Sequence, residues 1–231
     1  MEHKRSDSMQ IGTVSNFCEL INTPFENAVN ALCWEREIKG DFEEIVSKLQ
    51  IKENITEVTA EDLMSLQLSE NGAIARDLVL NDLKSLAESG TLPSLNLIKN
   101  YERDDDELIS TDVYSYHVDS SPVATDTFLC TYFGAPSDII PNDQAVQKIL
   151  IPEIIGKLQD LYDPSQQDFS TFVQDYHFDL HYQANADAQP INLGLGHLWK
   201  LAVKHPGQKV LPCIHRAPKE NTGEYRLLLI C

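Results

Sequence analysis

The chain is poor in cysteine, and its five cysteines form no CxxC pair. They are scattered along the sequence at Cys18, Cys33, Cys130, Cys213 and Cys231. An odd, widely spaced set of thiols disfavours both a disulfide framework and a structural zinc site, because both are typically built from paired cysteines. We therefore expect reduced thiols.

Long apolar runs are also missing from the sequence. The polar start, Met1 to Ser8, leads into no apolar segment of the length that a signal peptide or a membrane span requires. From this pattern we predict a cytoplasmic protein that has no membrane as a partner.

Basic residues are scarce, since 18 Lys and Arg stand against 36 Asp and Glu and give a formal net charge of −18. A charge of this sign and size repels phosphate backbones at long range, so nucleic acid is not expected as a partner. The 231 residues, 42% of them hydrophobic, suit one full-sized domain with a smaller elaboration. The sequence leaves the oligomeric state open.

The first ninety residues carry repeated helix-start signals. The segment from Thr23 to Glu26 combines a capping Thr with Pro at the first helical position and Glu at the third. Similar signals begin at Asp41 and Thr59, and Gly90 is suited to end the last helix. We predict a helical layer over residues 1–92, packed on the core.

After Pro93 the apolar period falls toward two, and β-branched and aromatic residues become frequent. Helices followed by many short strands favour a sandwich or barrel over alternating βαβ units. The predicted fold is therefore α+β, with a jelly roll over residues 93–231. A helix is also predicted between about Asn142 and Tyr162, interrupted or restarted at Pro152, and a solvated turn at Asp104 to Glu107. The predicted strands are Ser94 to Tyr101, Asp112 to Val118, Asp126 to Phe133, Gln208 to His215 and Tyr225 to Cys231.

Candidate metal ligands lie on, or directly after, two of these strands. His117 and Asp119 are separated by one residue, so in a strand they point to the same side and can reach one metal ion. His215 ends another apolar run, before a polar turn from Lys219 to Gly223, and can supply a second imidazole. Two imidazoles and one carboxylate form the facial triad that leaves open positions on Fe(II).

The order of these residues resembles the signature of the Fe(II)/2-oxoglutarate-dependent oxygenases. The matching features are the His117-x-Asp119 motif, His215 followed by Arg-Ala-Pro, and Arg226 on the next strand. The span from about Ser94 to Cys231 also looks like an uncharacterised bacterial domain family of unknown function. The resemblance implies a double-stranded β-helix, which is a jelly roll, with iron held by His117, Asp119 and His215.

The resemblance also implies roles for the co-substrate and the reaction. Arg226 would pair with the distal carboxylate of 2-oxoglutarate, because a guanidinium offers a planar bidentate fork. Tyr132 and Lys200 are further candidates for holding 2-oxoglutarate or substrate. The implied activity consumes O2, decarboxylates 2-oxoglutarate to succinate and oxidises a small molecule or a peptide side chain. Hydroxylation is favoured over halogenation, because the Asp119 carboxylate occupies the position that a halide would need.

Other functions and ligands stay open. A cupin-like metal-binding jelly roll, acting as a dioxygenase, isomerase or sensor, would keep the histidines without needing Arg226, which could instead form an ordinary salt bridge. A non-catalytic acidic interaction module built around the helices is a third possibility. The long insertion from Pro136 to Gln189 departs from the usual family pattern, so the resemblance says nothing about the substrate pocket.

A second HxD motif competes with the first. In a strand His177, Asp179 and His181 would share one face and could form a rival metal site. The short span between His177 and His215 leaves little chain for the intervening strands, so this alternative is the weaker one. The remaining candidate residues are expected to have ordinary structural roles. His197 and His205 would be loop or edge residues, and Cys213 would be a small apolar side chain that fills space in the interior.

Overall fold

A computed structural model describes residues 10–103, 109–219 and 223–231. These residues form a mixed α/β structure with two curled, mostly antiparallel sheets that together resemble a half-barrel. The strands are β1 (Ile11–Val14), β2 (Ala31–Trp34), β3 (Ile55–Glu57), β4 (Ser94–Ile98), β5 (Tyr116–His117), β6 (Asp126–Phe133), β7 (Asp138–Ile140), β8 (Ala145–Gln147), β9 (His181–Ala184), β10 (Ile191–Asn192), β11 (Leu198–Ala202), β12 (Ile214–Arg216) and β13 (Arg226–Ile230).

The larger sheet has the strand order β1-β2-β11-β6-β13-β4-β3, and the smaller sheet has the order β10-β7-β12-β5-β9-β8. Only β1 and β2 pair in parallel among these strands, and the other neighbours are antiparallel. The α-helices are α1 (Phe17–Asn22), α2 (Phe42–Lys48), α3 (Ala60–Ser65), α4 (Glu70–Glu88), α5 (Pro152–Leu161) and α6 (Phe169–Asp175), and short 3₁₀ turns cover Asn142–Gln144, Lys148–Leu150 and Phe178–Leu180.

Two of the predicted helix starts and the predicted helix end are confirmed. The Asp41 side chain caps α2 by accepting from the Glu44 amide, and Thr59 forms a capping box with Asp62 at the start of α3. Gly90 follows Ser89, the C-terminal cap of α4, and has a φ of +91°, in the left-handed region that glycine adopts without strain.

The predicted helix beginning at Thr23 is wrong. Helix α1 ends at Asn22, and Thr23 is its extended C-terminal cap. The apolar residues that suggested the helix run into β2, which lies between β1 and β11 in the larger sheet. Ala31, Leu32 and Cys33 are all buried there, because both faces of this strand are covered. Burial in a sheet overrides a local capping signal that is worth far less free energy.

The first 92 residues therefore form strands as well as helices. They contribute β1, β2 and β3 to both margins of the larger sheet, in addition to helices α1 to α4. The helices pack on the outward face of this sheet, where Leu20, Ile45, Leu63 and Leu86 are fully buried. Full burial of a Leu or Ile side chain stabilises the fold by about 1.5–3 kcal/mol, so this layer belongs to the same core as the strands it covers.

Between the two sheets lies a second apolar cluster. Leu129, Trp199 and Leu228 project from the larger sheet and meet Ile139 and Cys213 from the side of the smaller one. A separate cluster that includes Leu158, Phe172 and Phe178 forms around α5 and α6.

Within the described ranges no helix combines the length and apolarity that a membrane crossing needs.

The predicted strands are all found, most of them with changed lengths. Strand β6 matches its prediction in both bounds, and β4 and β13 differ by a few residues. Strand β5 keeps two residues, because Asp112 accepts from the amides of Tyr114 and Ser115 and forms a turn. Strand β12 begins only at Ile214, since Pro212 has no amide hydrogen for a ladder.

The predicted helix after Asn142 is found only in part. Pro152 restarts the chain as the first residue of α5, as expected, but the residues before it form β8 and two 3₁₀ turns. The predicted turn at Asp104 to Glu107 and the polar start at Met1 to Ser8 lie outside the described residues, as does the middle of the turn from Lys219 to Gly223.

Candidate metal centre

Strand pairing brings the two candidate imidazoles together. His117 on β5 lies directly opposite His215 on β12, so both side chains project from the same face of the smaller sheet. Their ring centroids are 4.5 Å apart. Asp119 follows two residues after His117, and its main-chain carbonyl accepts from the Lys204 amide at 2.9 Å. One ligand atom from each of the three residues lies within 4.8 Å of the others.

Both imidazoles offer the same ring nitrogen, Nε2, as a potential metal ligand. Nδ1 of His117 lies 2.7 Å from the Ser115 carbonyl, and Nδ1 of His215 lies 3.2 Å from the Cys213 carbonyl. A carbonyl only accepts, so each Nδ1 carries the hydrogen and each Nε2 keeps a lone pair. This is how metal-binding histidines are commonly held in the correct tautomer and orientation.

The Asp119 carboxylate is oriented by a hydroxyl from the larger sheet. Thr127 Oγ1 donates to Asp119 Oδ2 at 2.5 Å. The other oxygen, Oδ1, lies 3.7 Å from Nε2 of His215. One carboxylate oxygen is thus fixed by the protein, and the other points toward the two imidazoles.

The protonation states suit a divalent metal at neutral pH. Burial, with a contribution from the neighbouring His215, lowers the pKa of His117 to about 4, so this ring is neutral at pH 7. Burial opposes ionisation of Asp119, but His215 and the hydrogen bond from Thr127 outweigh it and leave the pKa of the carboxyl below its ordinary value. At pH 7 His117 is therefore neutral and Asp119 ionised, so neither has to lose a proton when a metal binds.

Arg226 is the first residue of β13 and is only 2% exposed. Its Nη2 donates to Thr131 Oγ1 at 3.1 Å and to Ser137 Oγ at 2.8 Å, and its Nη1 donates to the Tyr101 hydroxyl at 3.4 Å. These hydroxyls hold the guanidinium plane in place.

Arg226 shares a cavity with the metal-binding group. The cavity, here called the inner cavity, has a volume of about 290 Å³ and is lined by His117, Asp119, His215 and Arg226. Most of its other walls are apolar, with Ile98, Leu129 and Leu228 among them. A potential metal site and a buried guanidinium therefore face the same cavity.

Tyr132 and Lys200 are not brought to this cavity. Thr131 points toward Arg226, so the next residue, Tyr132, points to the opposite face of the sheet. There its hydroxyl donates to Asp82 Oδ2 at 2.6 Å, beside the Arg36–Asp82 ion pair. The structure thus corrects the expectation that Tyr132 contacts the co-substrate.

Lys200 lies on that same outward face of the larger sheet. Its Nζ donates to the main-chain carbonyl of Thr23 at 3.1 Å and lies 3.4 Å from the Asp126 carboxylate. Its neighbours in β11, Trp199 and Leu201, belong to the cluster between the sheets, so Lys200 faces away from the inner cavity. The expectation that Lys200 contacts the co-substrate or substrate is therefore corrected as well, because its side chain lies on the opposite face of the sheet from the cavity.

The rival motif does not form a strand. His177 has a φ of +58° and precedes the 3₁₀ turn Phe178–Leu180, so His177 and Asp179 lose the alternation that a strand would give them. His181 begins β9, opposite His117, with ring centroids 5.6 Å apart. The group of potential ligands found among the described residues contains His117, Asp119 and His215, but not the rival residues.

His197, His205 and Cys213 have structural roles in the fold. The His197 ring accepts from the Arg36 amide at 3.2 Å, and His205 lies in a turn where its Nδ1 is 2.9 Å from the Pro206 carbonyl. Cys213 is buried between the sheets as expected, and burial raises the pKa of its thiol. It therefore remains a protonated apolar filler.

A second space, here called the outer cavity, adjoins the same metal-binding group. It has a volume of about 640 Å³ and includes His117 and Asp119 together with Asp179, His181 and Lys204. Neither the outer cavity nor the supporting role of Thr127 was visible in the sequence. Both depend on contacts between segments that have no periodic relation to each other.

Comparisons with protein-family models, with curated proteins and with solved structures gave no match. The side chains gathered at the site are therefore the indication of function that this chain offers. Of the six residues predicted for it, His117, Asp119, His215 and Arg226 line one cavity, whereas Tyr132 and Lys200 lie on the far side of the sheet.

Proposed function

We propose that this chain is an Fe(II)- and 2-oxoglutarate-dependent oxygenase, and that its two facing sheets form a jelly roll. The observation that carries the proposal is the inner cavity, which is lined both by the two-histidine, one-carboxylate group and by Arg226. A generic metal site would need the first of these features but not the second.

The donor set fits Fe(II). Two neutral imidazole nitrogens and one carboxylate oxygen are the ligands that non-haem iron oxygenases use, and such a set leaves positions for other molecules. The supporting contacts also fit, because Ser115, Cys213 and Thr127 each hold one ligand by a hydrogen bond. His117, Asp119 and His215 would hold the metal through Nε2, Oδ1 and Nε2.

The opposite wall of the inner cavity fits a carboxylate. A buried guanidinium can bind a carboxylate through parallel N–H groups, and apolar walls strengthen that contact. The Thr131 and Ser137 hydroxyls accept from Arg226 and still have their own hydrogens to donate to the same anion. Arg226 would therefore hold the distal carboxylate of 2-oxoglutarate.

When bound, iron with 2-oxoglutarate and O2 supplies the oxidising power for C–H hydroxylation, with release of succinate and CO2. The chain's own residues bind and orient these groups. The apolar walls at Leu129 and Leu228 limit access of water to the inner cavity. The proposed substrate is a small molecule or a peptide side chain.

The test is anaerobic titration of the purified protein with Fe(II) and then 2-oxoglutarate. We expect the weak visible charge-transfer band of the iron-bound co-substrate. Asp119→Ala should abolish the band and iron-dependent turnover, while the melting temperature of the metal-free protein changes little. Asp143→Ala, which removes an exposed carboxylate away from the cavity, is the matched control and should behave like the wild type. Iron binding without the band would contradict the use of 2-oxoglutarate.

A second candidate is a metal-binding jelly roll that does not use 2-oxoglutarate, such as a cupin-like dioxygenase, isomerase or sensor. The observation in its favour is that hydroxyls from three segments already hold Arg226. In that case the guanidinium would be a structural link between strands. Metal binding that is indifferent to both 2-oxoglutarate and Arg226 would support this candidate.

A further inference from the structure

The potential metal site lies between two cavities, which share His117 and Asp119. The inner cavity is mostly apolar apart from its ligands and the polar groups around Arg226. The outer cavity is different, because among the described residues that line it only Val118 and Leu180 are apolar. If the inner cavity holds the co-substrate, the outer cavity offers a second space beside the metal-binding group.

A polar lining determines which molecules can bind. An apolar molecule in the outer cavity would remove water from charged and hydrogen-bonding side chains without replacing their partners, which is unfavourable. The net charge of −18 also repels anions at long range. A polar molecule without net charge avoids both penalties.

His181 provides a fixed hydrogen-bond donor. The residue is 5% exposed, and its Nδ1 is buried with no hydrogen-bond partner within the described part of the chain. A hydrogen on Nδ1 would be a buried donor without an acceptor, so the favoured tautomer carries it on Nε2. Because the ring lines the outer cavity beside His117, its Nε2–H is suited to an acceptor group on a ligand.

The wall also carries charges of both signs. Lys204 Nζ and Asp179 Oδ2 form an ion pair at 2.6 Å, with side chains that are 47% and 15% exposed. A molecule that bears a carboxylate and an ammonium group can replace this pair by two new ones, without leaving either charge unpaired. Lys204 lines the outer cavity together with His117 and Asp119, so a molecule bound there shares this space with the metal-binding group.

From this arrangement we infer that the outer cavity binds the substrate, and that the substrate is a free amino acid or a similarly small zwitterion. Its carboxylate binds Lys204 and His181, and its ammonium group binds Asp179. The inference rests on the proposed oxygenase function. It gives the second HxD motif a role in substrate recognition, which explains its position beside the metal ligands without making it a rival metal site.

The experiment uses the full chain and the twenty protein amino acids as probes, with cyclohexanol and indole as apolar probes. Saturation-transfer difference NMR on the metal-free protein detects binding. Proton relaxation measured after loading with Mn(II) then reports whether a bound probe lies near the metal, and electron paramagnetic resonance of free Mn(II) measures loading. We expect saturation transfer to one or a few amino acids, enhanced proton relaxation of the same ones, and no binding of the apolar probes.

Two substitutions test the recognising charges. Lys204→Met and Asp179→Asn should each weaken amino-acid binding roughly ten-fold or more, since each removes a charge-assisted contact. Lys209→Met and Asp175→Asn are the matched controls, because both residues are exposed, nearby in sequence and outside the cavity. The controls should leave binding unchanged, and Mn(II) affinity should be equal in all four variants.

Several results would overturn the inference. They are preferred binding of the apolar probes, unchanged affinity in both Lys204→Met and Asp179→Asn, and amino-acid binding that Mn(II) does not affect in loaded protein. Failure of the protein to bind Mn(II) would instead reject the oxygenase proposal. The saturation-transfer spectra need no metal, so they would still accept or reject the amino-acid site.

Discussion

Replacing Arg226 by Met removes the guanidinium and keeps an unbranched side chain of similar reach. The position is 2% exposed, so a smaller residue would leave a hole and confuse loss of binding with loss of stability. In the wild type Nη2 bridges the hydroxyls of Thr131 and Ser137. We expect the variant to bind Fe(II) normally and 2-oxoglutarate poorly, because Arg226 is not a metal ligand.

The size of the effect follows from the contact that is lost. A charge-assisted, bidentate contact to a carboxylate contributes about 1.5–3 kcal/mol, which corresponds to a roughly ten- to hundred-fold weaker affinity. Each hydrogen bond from Arg226 to a hydroxyl contributes about 1 kcal/mol to folding, and the variant loses these bonds. Met also removes the unfavourable burial of a charge, which offsets that loss. The change in melting temperature should therefore be small.

The assay is a pair of anaerobic titrations, Fe(II) first and 2-oxoglutarate second, on wild type and variant. Arg216→Met is the matched control, because this arginine lies on β12 and pairs with Asp138 at 3.1 Å, outside the inner cavity. Equal 2-oxoglutarate affinities in wild type and Arg226→Met would refute the reasoning. Iron binding without any 2-oxoglutarate binding, in wild type and variant alike, would instead support the generic metal-binding candidate.

Three other perturbations have expected outcomes. Thr127→Val should weaken Mn(II) or Fe(II) binding about 10- to 100-fold in a titration, because it removes the hydrogen bond that orients a ligand carboxylate. Asp82→Ala should destabilise the fold by about 3–5 kcal/mol in denaturant unfolding, because it leaves the Arg36 cation unpaired in a largely buried site, whereas the exposed Asp77→Ala should change little. The metal-free protein should lose stability as the pH falls from 6.5 toward 4, because the unfolded chain takes up a proton that folded His117 resists. His117 should account for on the order of 2 kcal/mol of that loss at pH 5, and this part should be absent in His117→Gln.

The sequence by itself predicted those features that depend on near neighbours. The spacing of His117 and Asp119 places both on one side of the chain. The caps at Asp41 and Thr59 follow from side chains that bond to amides three residues away. Strand β6 was predicted in both bounds, because its residues are suited to a strand whichever partners it finds. The association of His215 and Arg226 with the site came from a resemblance in order and spacing, and the structure places both at the inner cavity.

Tertiary structure alone decided which face of the sheet each residue occupies. Tyr132 lies on a correctly predicted strand and Lys200 on β11, yet the register of the larger sheet turns both toward the helices. Period-two alternation tells which residues share a face, but only packing tells which face is the interior. The same limit applies to Thr23, whose local capping signal yields to a buried strand, and to His177, whose left-handed backbone breaks the expected alternation. The contacts that determined these positions lie far away in the sequence, where no local pattern records them.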